Sequence, residues 1–239
     1  MQIRYFQKGF NFSQDGPGNR LVIHLQGCNL HCPWCSNPEG INGNGGEIIS
    51  TDDLIEEIVS CKRLFFDGGG VTFTGGECTL QKDALRQILK ACKQNRIHTT
   101  IETNGTCTYD KELFENIDLI ISDFKHYDEK KLTKWVGQVR DYQTNITDYL
   151  KSGKPVLIRI VLINGFNAES EDALKFAELF KNLPTENATF EFLPYHEYGK
   201  SKWEKLGKEY QMKNAFVHPN TVKLFETIFK SYHFKTIRS

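Results

Sequence analysis

Two stretches of this chain stand out for their apolar runs, residues 118–124 (DLIISDF) and 155–162 (PVLIRIVL). Each is short and rich in β-branched residues, which suits a strand covered on both faces, the condition inside a parallel sheet. The rest of the chain keeps the same rhythm. Strands are expected over residues 21–27 (LVIHLQG), 71–74, 97–103 and 189–193. Helical patterns lie between them. One is capped by Ser50 or Thr51 and carries Leu54, Ile55, Ile58 and Val59; others span residues 80–94 and 110–116, followed by a polar, helix-rich stretch to about Ser152. A further helix over residues 169–181 shows Ala173, Leu174, Ala177 and Phe180 on one stripe, and the last carries Leu224, Phe225, Ile228 and Phe229. Such alternation argues for a parallel sheet with helices outside it. Roughly six strand–helix units fit, so the expected fold class is α/β, a partial (β/α)6 barrel or a strongly curved open sheet. In either form the working residues belong at the C-terminal ends of the strands.

The loop after the first of these strands reads Cys28-Asn29-Leu30-His31-Cys32-Pro33-Trp34-Cys35, a CxxxCxxC pattern. Three soft thiolates on a short loop can ligate three irons of a 4Fe–4S cluster and leave the fourth open to a small molecule. A zinc knuckle and a disulfide pair are the competing readings. Zinc ordinarily takes a fourth Cys or His at regular spacing, and only His31, inside the loop, is close. Of the other four cysteines, Cys61 follows Leu54 and Ile58, and Cys92 follows Leu85, Ile88 and Leu89, so both are expected on buried helix faces. Cys78 and Cys107 fall in or beside loops without a CxxC partner, and no second cluster is expected.

A chain of 239 residues, 39% hydrophobic, can bury one sizeable core, so residues 1–239 are expected to form a single domain. Thirty basic and thirty acidic residues cancel, which gives no pull toward nucleic acid or a membrane surface. The start, MQIRYFQKGF, lacks the apolar run of a signal peptide, and no stretch approaches the roughly 18 apolar residues of a membrane span. Seven cysteines without an export signal read as reduced thiols in the cytoplasm.

Polar residues gather at the expected strand ends. Thr74-Gly75-Gly76-Glu77 offers two glycines for close backbone approach and a carboxylate that can accept from an ammonium group, or is an ordinary turn. Glu102-Thr103-Asn104-Gly105 and Ser122-Asp123-Phe124-Lys125 close the next two strands. Arg159 stands inside an apolar strand, where it needs either a buried carboxylate partner or a ligand carboxylate. His196, in Leu193-Pro194-Tyr195-His196-Glu197, stands at the same rim, and His24 reads as structural.

These motifs together resemble the activating enzymes of glycyl radical enzymes, within the radical S-adenosylmethionine (SAM) superfamily. The likeness runs through DGPG at residues 15–18, QGC at 26–28, GGGVTFTGGE at 68–77, ETNG at 102–105, DFK at 123–125, Ile158-Arg159 and LPYHEYGKSKW at 193–203. The resemblance implies one 4Fe–4S cluster held by Cys28, Cys32 and Cys35, with the SAM amino and carboxylate groups on the fourth iron. It implies Trp34 and Ser36 on the adenine side, and Gly75, Gly76 and Glu77 at the amino group. Asn104, Asp123 and Lys125 join the cofactor contacts, Arg159 supports the carboxylate and His196 meets the adenosine. A monovalent cation maps onto Glu102, Thr103 and Asp123; the first of these is usually Asp, which puts the size of that site in question.

The implied activity is reductive cleavage of SAM followed by removal of a hydrogen from a glycine Cα of a partner protein, with pyruvate formate-lyase the first candidate, as part of anaerobic metabolism. Flavodoxin or ferredoxin is the implied electron donor, and the protein is expected to be a monomer. Residues 36–39 (SNPE) look more like activases that carry an inserted ferredoxin-like domain, but residues 40–50 are too short for that insert and hold no cysteine. The alternatives are a radical SAM enzyme acting on a small molecule and a cluster-carrying redox sensor. The DGPG turn is expected either to help receive the glycine loop or to be merely structural.

Overall fold

The computed structural model describes residues 1–238. In chain order the elements are β1 (Gln2–Phe12), β2 (Asn19–Leu25), β3 (Glu47–Ser50), α1 (Thr51–Ser60), β4 (Gly70–Gly75), α2 (Lys82–Gln94), β5 (His98–Thr103), α3 (Lys111–Phe114) and β6 (Leu119–Asp123). They continue with α4 (Glu129–Val136), α5 (Tyr142–Lys151), β7 (Val156–Leu162), α6 (Ser170–Lys181), β8 (Ala188–Pro194), α7 (Lys200–Lys205), α8 (Pro219–Ser231) and β9 (Thr236–Ile237). All six expected strands are present, as β2 and β4 to β8. Among the described residues no helix is long and apolar enough to cross a membrane.

The chain divides into two compact units. The first holds Met1–Asn29, Asn37–Thr103 and Cys107–Ile121; the second holds Leu30–Ser36, Asn104–Thr106 and Ser122–Ser239. In the first unit the strands run β3-β1-β2-β4-β5. β4 lies parallel to both β2 and β5, and β1 pairs antiparallel with β2 and β3. The β1–β2 hairpin has no counterpart in the sequence reading. Its DGPG turn lies at the N-terminal ends of β2 and β4, the ends away from the cysteine loop, since Arg20 pairs in register with Gly70 and Leu25 with Gly75. The fully buried Arg20 ties that turn down. Its guanidinium donates to Thr72 Oγ1 at 2.6 Å and to the Pro17 carbonyl at 3.1 Å, while the Thr72 hydroxyl donates to the Asp15 carbonyl at 2.7 Å. The turn therefore has a structural role.

α1 begins as expected, with the Ser50 hydroxyl accepting from the Asp53 amide at 3.0 Å. Its Leu54 and Ile58 are fully buried, as are Leu85, Ile88 and Leu89 of α2. Cys92 sits in that core, but Cys61 is only half-buried, because α1 ends at Ser60 and Cys61 opens a 3-10 turn. The helix expected from residue 80 starts at Lys82 for a similar reason: Cys78–Gln81 form a 3-10 turn that leaves Leu80 exposed.

In the second unit β7, β8 and β9 are parallel. Its core is aromatic: Phe124, Phe176, Phe180, Phe190, Phe225 and Phe229 are buried and in ring contact across β8, α6 and α8. The buried stripe of α6 is Ala173, Phe176, Ala177 and Phe180, at the three- and four-residue steps of one helix face. Leu174, one position off that stripe, is exposed, and so is Leu224 of α8.

Candidate active site

Backbone hydrogen bonds in the first unit fix the approach to Cys28. The Gly27 amide donates to Gly40 O at 2.8 Å, Cys28 N to Ile41 O at 3.1 Å, Gly76 N to Leu25 O at 2.9 Å and Glu77 N to Gly27 O at 2.7 Å. Only glycine fits these crossings. Gly75 has φ of 115°, and a Cβ on Gly76 would lie 2.2 Å from Gly27 O. Gln26, nearly fully buried, clamps the loop after the cysteines by donating to the carbonyls of Glu39 and Asn42.

The carboxylates at these strand ends have protein partners. Glu77 is 1% exposed, and its Oε1 accepts from Thr79 N at 3.2 Å, Thr79 Oγ1 at 2.5 Å and Thr103 Oγ1 at 2.9 Å. Glu102 Oε2 accepts from the Thr74 hydroxyl at 2.8 Å. The Thr-Gly-Gly-Glu segment thus serves as turn and cap whatever else it meets.

In the second unit the Cys35 amide donates to Cys32 O at 3.0 Å, closing the CPWC turn. Trp34 is buried by rings on two sides, Phe166 at 5.0 Å and Trp135 at 6.0 Å between centroids. Cys35 is held from far along the chain. The Trp203 indole Nε1–H donates to Cys35 O at 2.9 Å, and a Cβ on Gly199 would lie 2.4 Å from that oxygen and 2.8 Å from Ser36 Cα. Trp203 and Gly199 belong to the YGKSKW segment, so that motif has a physical role in seating the last cysteine and Ser36.

Trp34, Asp123, Lys125, Arg159, Val161 and Phe166 line one small recess. Four of the predicted contact residues are therefore brought together. Lys125 Nζ lies 2.5 Å from Asp123 Oδ2; burial alone would lower the lysine's pKa, but the facing Asp123 carboxylate raises it, so the amine stays charged. The backbone carrying this pair is fixed. The buried Tyr142 hydroxyl accepts from Lys125 N at 2.9 Å and donates to Asp123 O at 2.7 Å. Asn167 donates to Lys125 O at 3.0 Å and Val161 O at 2.9 Å.

Arg159 has the buried carboxylate partner that its strand position calls for. Its Nε donates to Glu191 Oε2 at 2.7 Å, the in-register neighbour on β8, while the residue also lines the recess. With Glu191 1% exposed, removal of the arginine would take a charged partner from a buried carboxylate, which is destabilising.

Asn104 and His196 stand apart from the recess. The Asn104 Oδ1 caps a turn by accepting from Thr106 N at 3.0 Å and Thr106 Oγ1 at 2.6 Å. The His196 Nδ1 accepts from Tyr198 N at 3.3 Å, its ring stacks on Tyr198 at 4.1 Å, and burial lowers its pKa.

The donor set suits an iron–sulfur cluster. Cys28, Cys32 and Cys35 are each half-buried and form no disulfide in this structure. Among the described residues no three Cys, His, Asp or Glu side chains converge on a single ion.

Gln26, Tyr142, Asn167, Glu191 and Trp203 had no assigned role in the sequence reading. Glu191 was visible in principle, as a lone carboxylate within ATFEFLP facing the arginine of the preceding strand. Tyr142 and Trp203 carry no local signal, since their partners lie 17–19 and 168 positions away.

Comparison with known proteins agrees with this arrangement. The sequence profile of the Radical SAM superfamily matches residues 22–177. The chain is 39% identical over 213 residues to the pyruvate formate-lyase-activating enzyme of Staphylococcus epidermidis, covering 84% of each chain. It is 37% identical over 206 residues to that of Clostridium pasteurianum, covering 84% of this chain and 85% of the other. Among solved structures, a domain of the pyruvate-formate lyase-activating enzyme from Bacteroides vulgatus aligns with a TM-score of 0.60 at 27% identity, over 72% of this chain and 99% of the other. A radical SAM methyltransferase from Sphaerobacter thermophilus aligns over 96% of this chain and 68% of its own at 13% identity and a TM-score of 0.65, a likeness of fold alone. The chain belongs to the radical SAM superfamily and, within it, to the family of the pyruvate formate-lyase-activating enzymes.

Proposed function

We propose that this protein activates a glycyl radical enzyme, with pyruvate formate-lyase as the partner, by reductive cleavage of SAM and hydrogen abstraction from one glycine Cα. The observation that carries the reading is the 39% identity to a pyruvate formate-lyase-activating enzyme over 84% of each chain, and the recess beside the cysteine turn agrees with it. When bound, a 4Fe–4S cluster with an open iron supplies the electron that splits the SAM sulfonium into methionine and a 5′-deoxyadenosyl radical.

The protein's share is binding, orientation and exclusion of water. Cys28, Cys32 and Cys35 hold the cluster. The charged Lys125, steadied by Asp123, and Arg159, steadied by Glu191, present cations to the SAM carboxylate. Trp34 and Ser36 bound the adenine side, Gly75, Gly76 and Glu77 face the amino group, and Asn104 and His196 complete the cofactor contacts. A monovalent cation at Glu102, Thr103 and Asp123, a monomeric state, a cytoplasmic setting, a single domain and a flavodoxin or ferredoxin donor belong to the same reading.

The test is anaerobic. The cluster is reconstituted, reductant and SAM are added, and the protein is mixed with pyruvate formate-lyase. A glycyl doublet in the electron paramagnetic resonance spectrum is expected, with release of 5′-deoxyadenosine. Absence of both signals sinks the reading, and metabolite-stimulated SAM cleavage without a protein radical favours a small-molecule substrate.

A further inference from the structure

A second concavity of the second unit opens beside the cysteine turn. It is an open groove lined by Pro33, Lys134, Trp135, Gln211 and Met212. It shares no lining residue with the SAM recess. Trp135 lines the groove and Trp34 the recess, with their ring centroids 6.0 Å apart, so this aromatic pair stands between the two. Pro33 lies next to Cys32 in the chain, so a molecule seated here is one residue from a cluster ligand.

Lys134 lines the groove, and the two chain segments that supply Lys134, Trp135, Gln211 and Met212 to it are basic. Residues 128–140 hold three lysines and an arginine against Asp128 and Glu129, and residues 200–213 hold five lysines against two glutamates. These two segments carry an excess of five positive charges in a chain whose total is zero, which leaves an equal acidic excess elsewhere. Lys134, Lys205, Lys208 and Lys213 are exposed. A groove lined by Pro33, Trp135 and Met212 and carried on lysine-rich segments fits a protein with an acidic face around an apolar redox edge, and steering by such fields raises association rates.

The geometry points to this groove as the docking site of an acidic one-electron carrier protein, which rests on the activase reading above. The carrier is oxidised by one electron and the Cys28–Cys35 centre is reduced by one; no bond or proton changes at the groove.

The experiment uses cluster-loaded protein and a flavodoxin of net negative charge as probe. In Lys134→Glu/Lys213→Glu, and separately in Met212→Asp, flavodoxin affinity and the rate of cluster reduction by flavodoxin hydroquinone are expected to fall about tenfold. Reduction by dithionite and dithionite-driven SAM cleavage stay at wild-type level, and added salt weakens flavodoxin binding more in the wild type than in the double variant. Unchanged flavodoxin affinity overturns the proposal. So does a selective loss of affinity for the glycyl radical enzyme, or an equal loss of dithionite-driven cleavage. Failure of the activase reading is recognised separately, as absence of SAM cleavage by dithionite-reduced wild-type protein.

Discussion

The indole nitrogen of Trp203 donates to the carbonyl of Cys35, and that one bond makes a residue near the C-terminal end of the sequence part of the cluster loop. Trp203→Phe keeps the ring and removes the donor. A net loss of about 1 kcal/mol corresponds to roughly fivefold faster loss of iron to a chelator, read as bleaching of the cluster absorbance. A rate equal to wild type would show that the carbonyl needs no such partner. Single residues also mark the limit of sequence reading. The cysteines are legible because their spacing is local. The partner of Cys35 is not, because long-range packing puts Trp203 there.

At the scale of elements, strands read well where burial is uniform and poorly where it is not. DLIISDF and PVLIRIVL become β6 and β7 because both faces are covered. β1 escaped because only Ile3 and Tyr5 of its eleven residues are buried, so its apolar signal fades along the exposed part of the hairpin. The link between β6 and α4 holds a group sensitive to pH. His126, 1% exposed, accepts from Asp128 N at 2.9 Å through Nδ1, which leaves Nε2 to donate to Phe166 O at 3.1 Å. Burial, then the charge of Lys131, lower its pKa, against the opposing pull of the Phe166 carbonyl, Asp172 and Asp128. The unfolded imidazole titrates near 6.5, roughly, so below that pH the unfolded chain takes up a proton that the folded chain refuses. Stability is therefore full above that value and falls as pH drops toward the folded pKa. His98 and His196 are shifted in the same direction. The melting temperature is expected to decline between pH 7 and 5, and His126→Gln is expected to flatten part of that decline. An unaltered slope in the variant would remove His126 from the account.

For the molecule as a whole, stability and ligand occupancy are one quantity. SAM that binds only the folded, cluster-loaded protein adds about 2.7 kcal/mol at a hundred times its dissociation constant. For a chain of this length that is a rise of roughly 5–10 °C in melting temperature. Protein stripped of iron is expected to show little rise, because the amino and carboxylate groups of SAM then have no iron to bind; an equal rise would place the binding energy in the recess alone. The clamp made by Gln26 has a consequence for rebuilding this protein. It ties the carbonyls of Glu39 and Asn42 to the end of β2, and Arg4 holds Gly45 O at 3.1 Å, while Asn42, Gly43 and Asn44 lie exposed between those anchors. Both stems of the turn are fastened and its tip bears no load, so Gly43–Asn44 is a natural splice point where a reporter module can be grafted without disturbing the cysteines a few residues upstream.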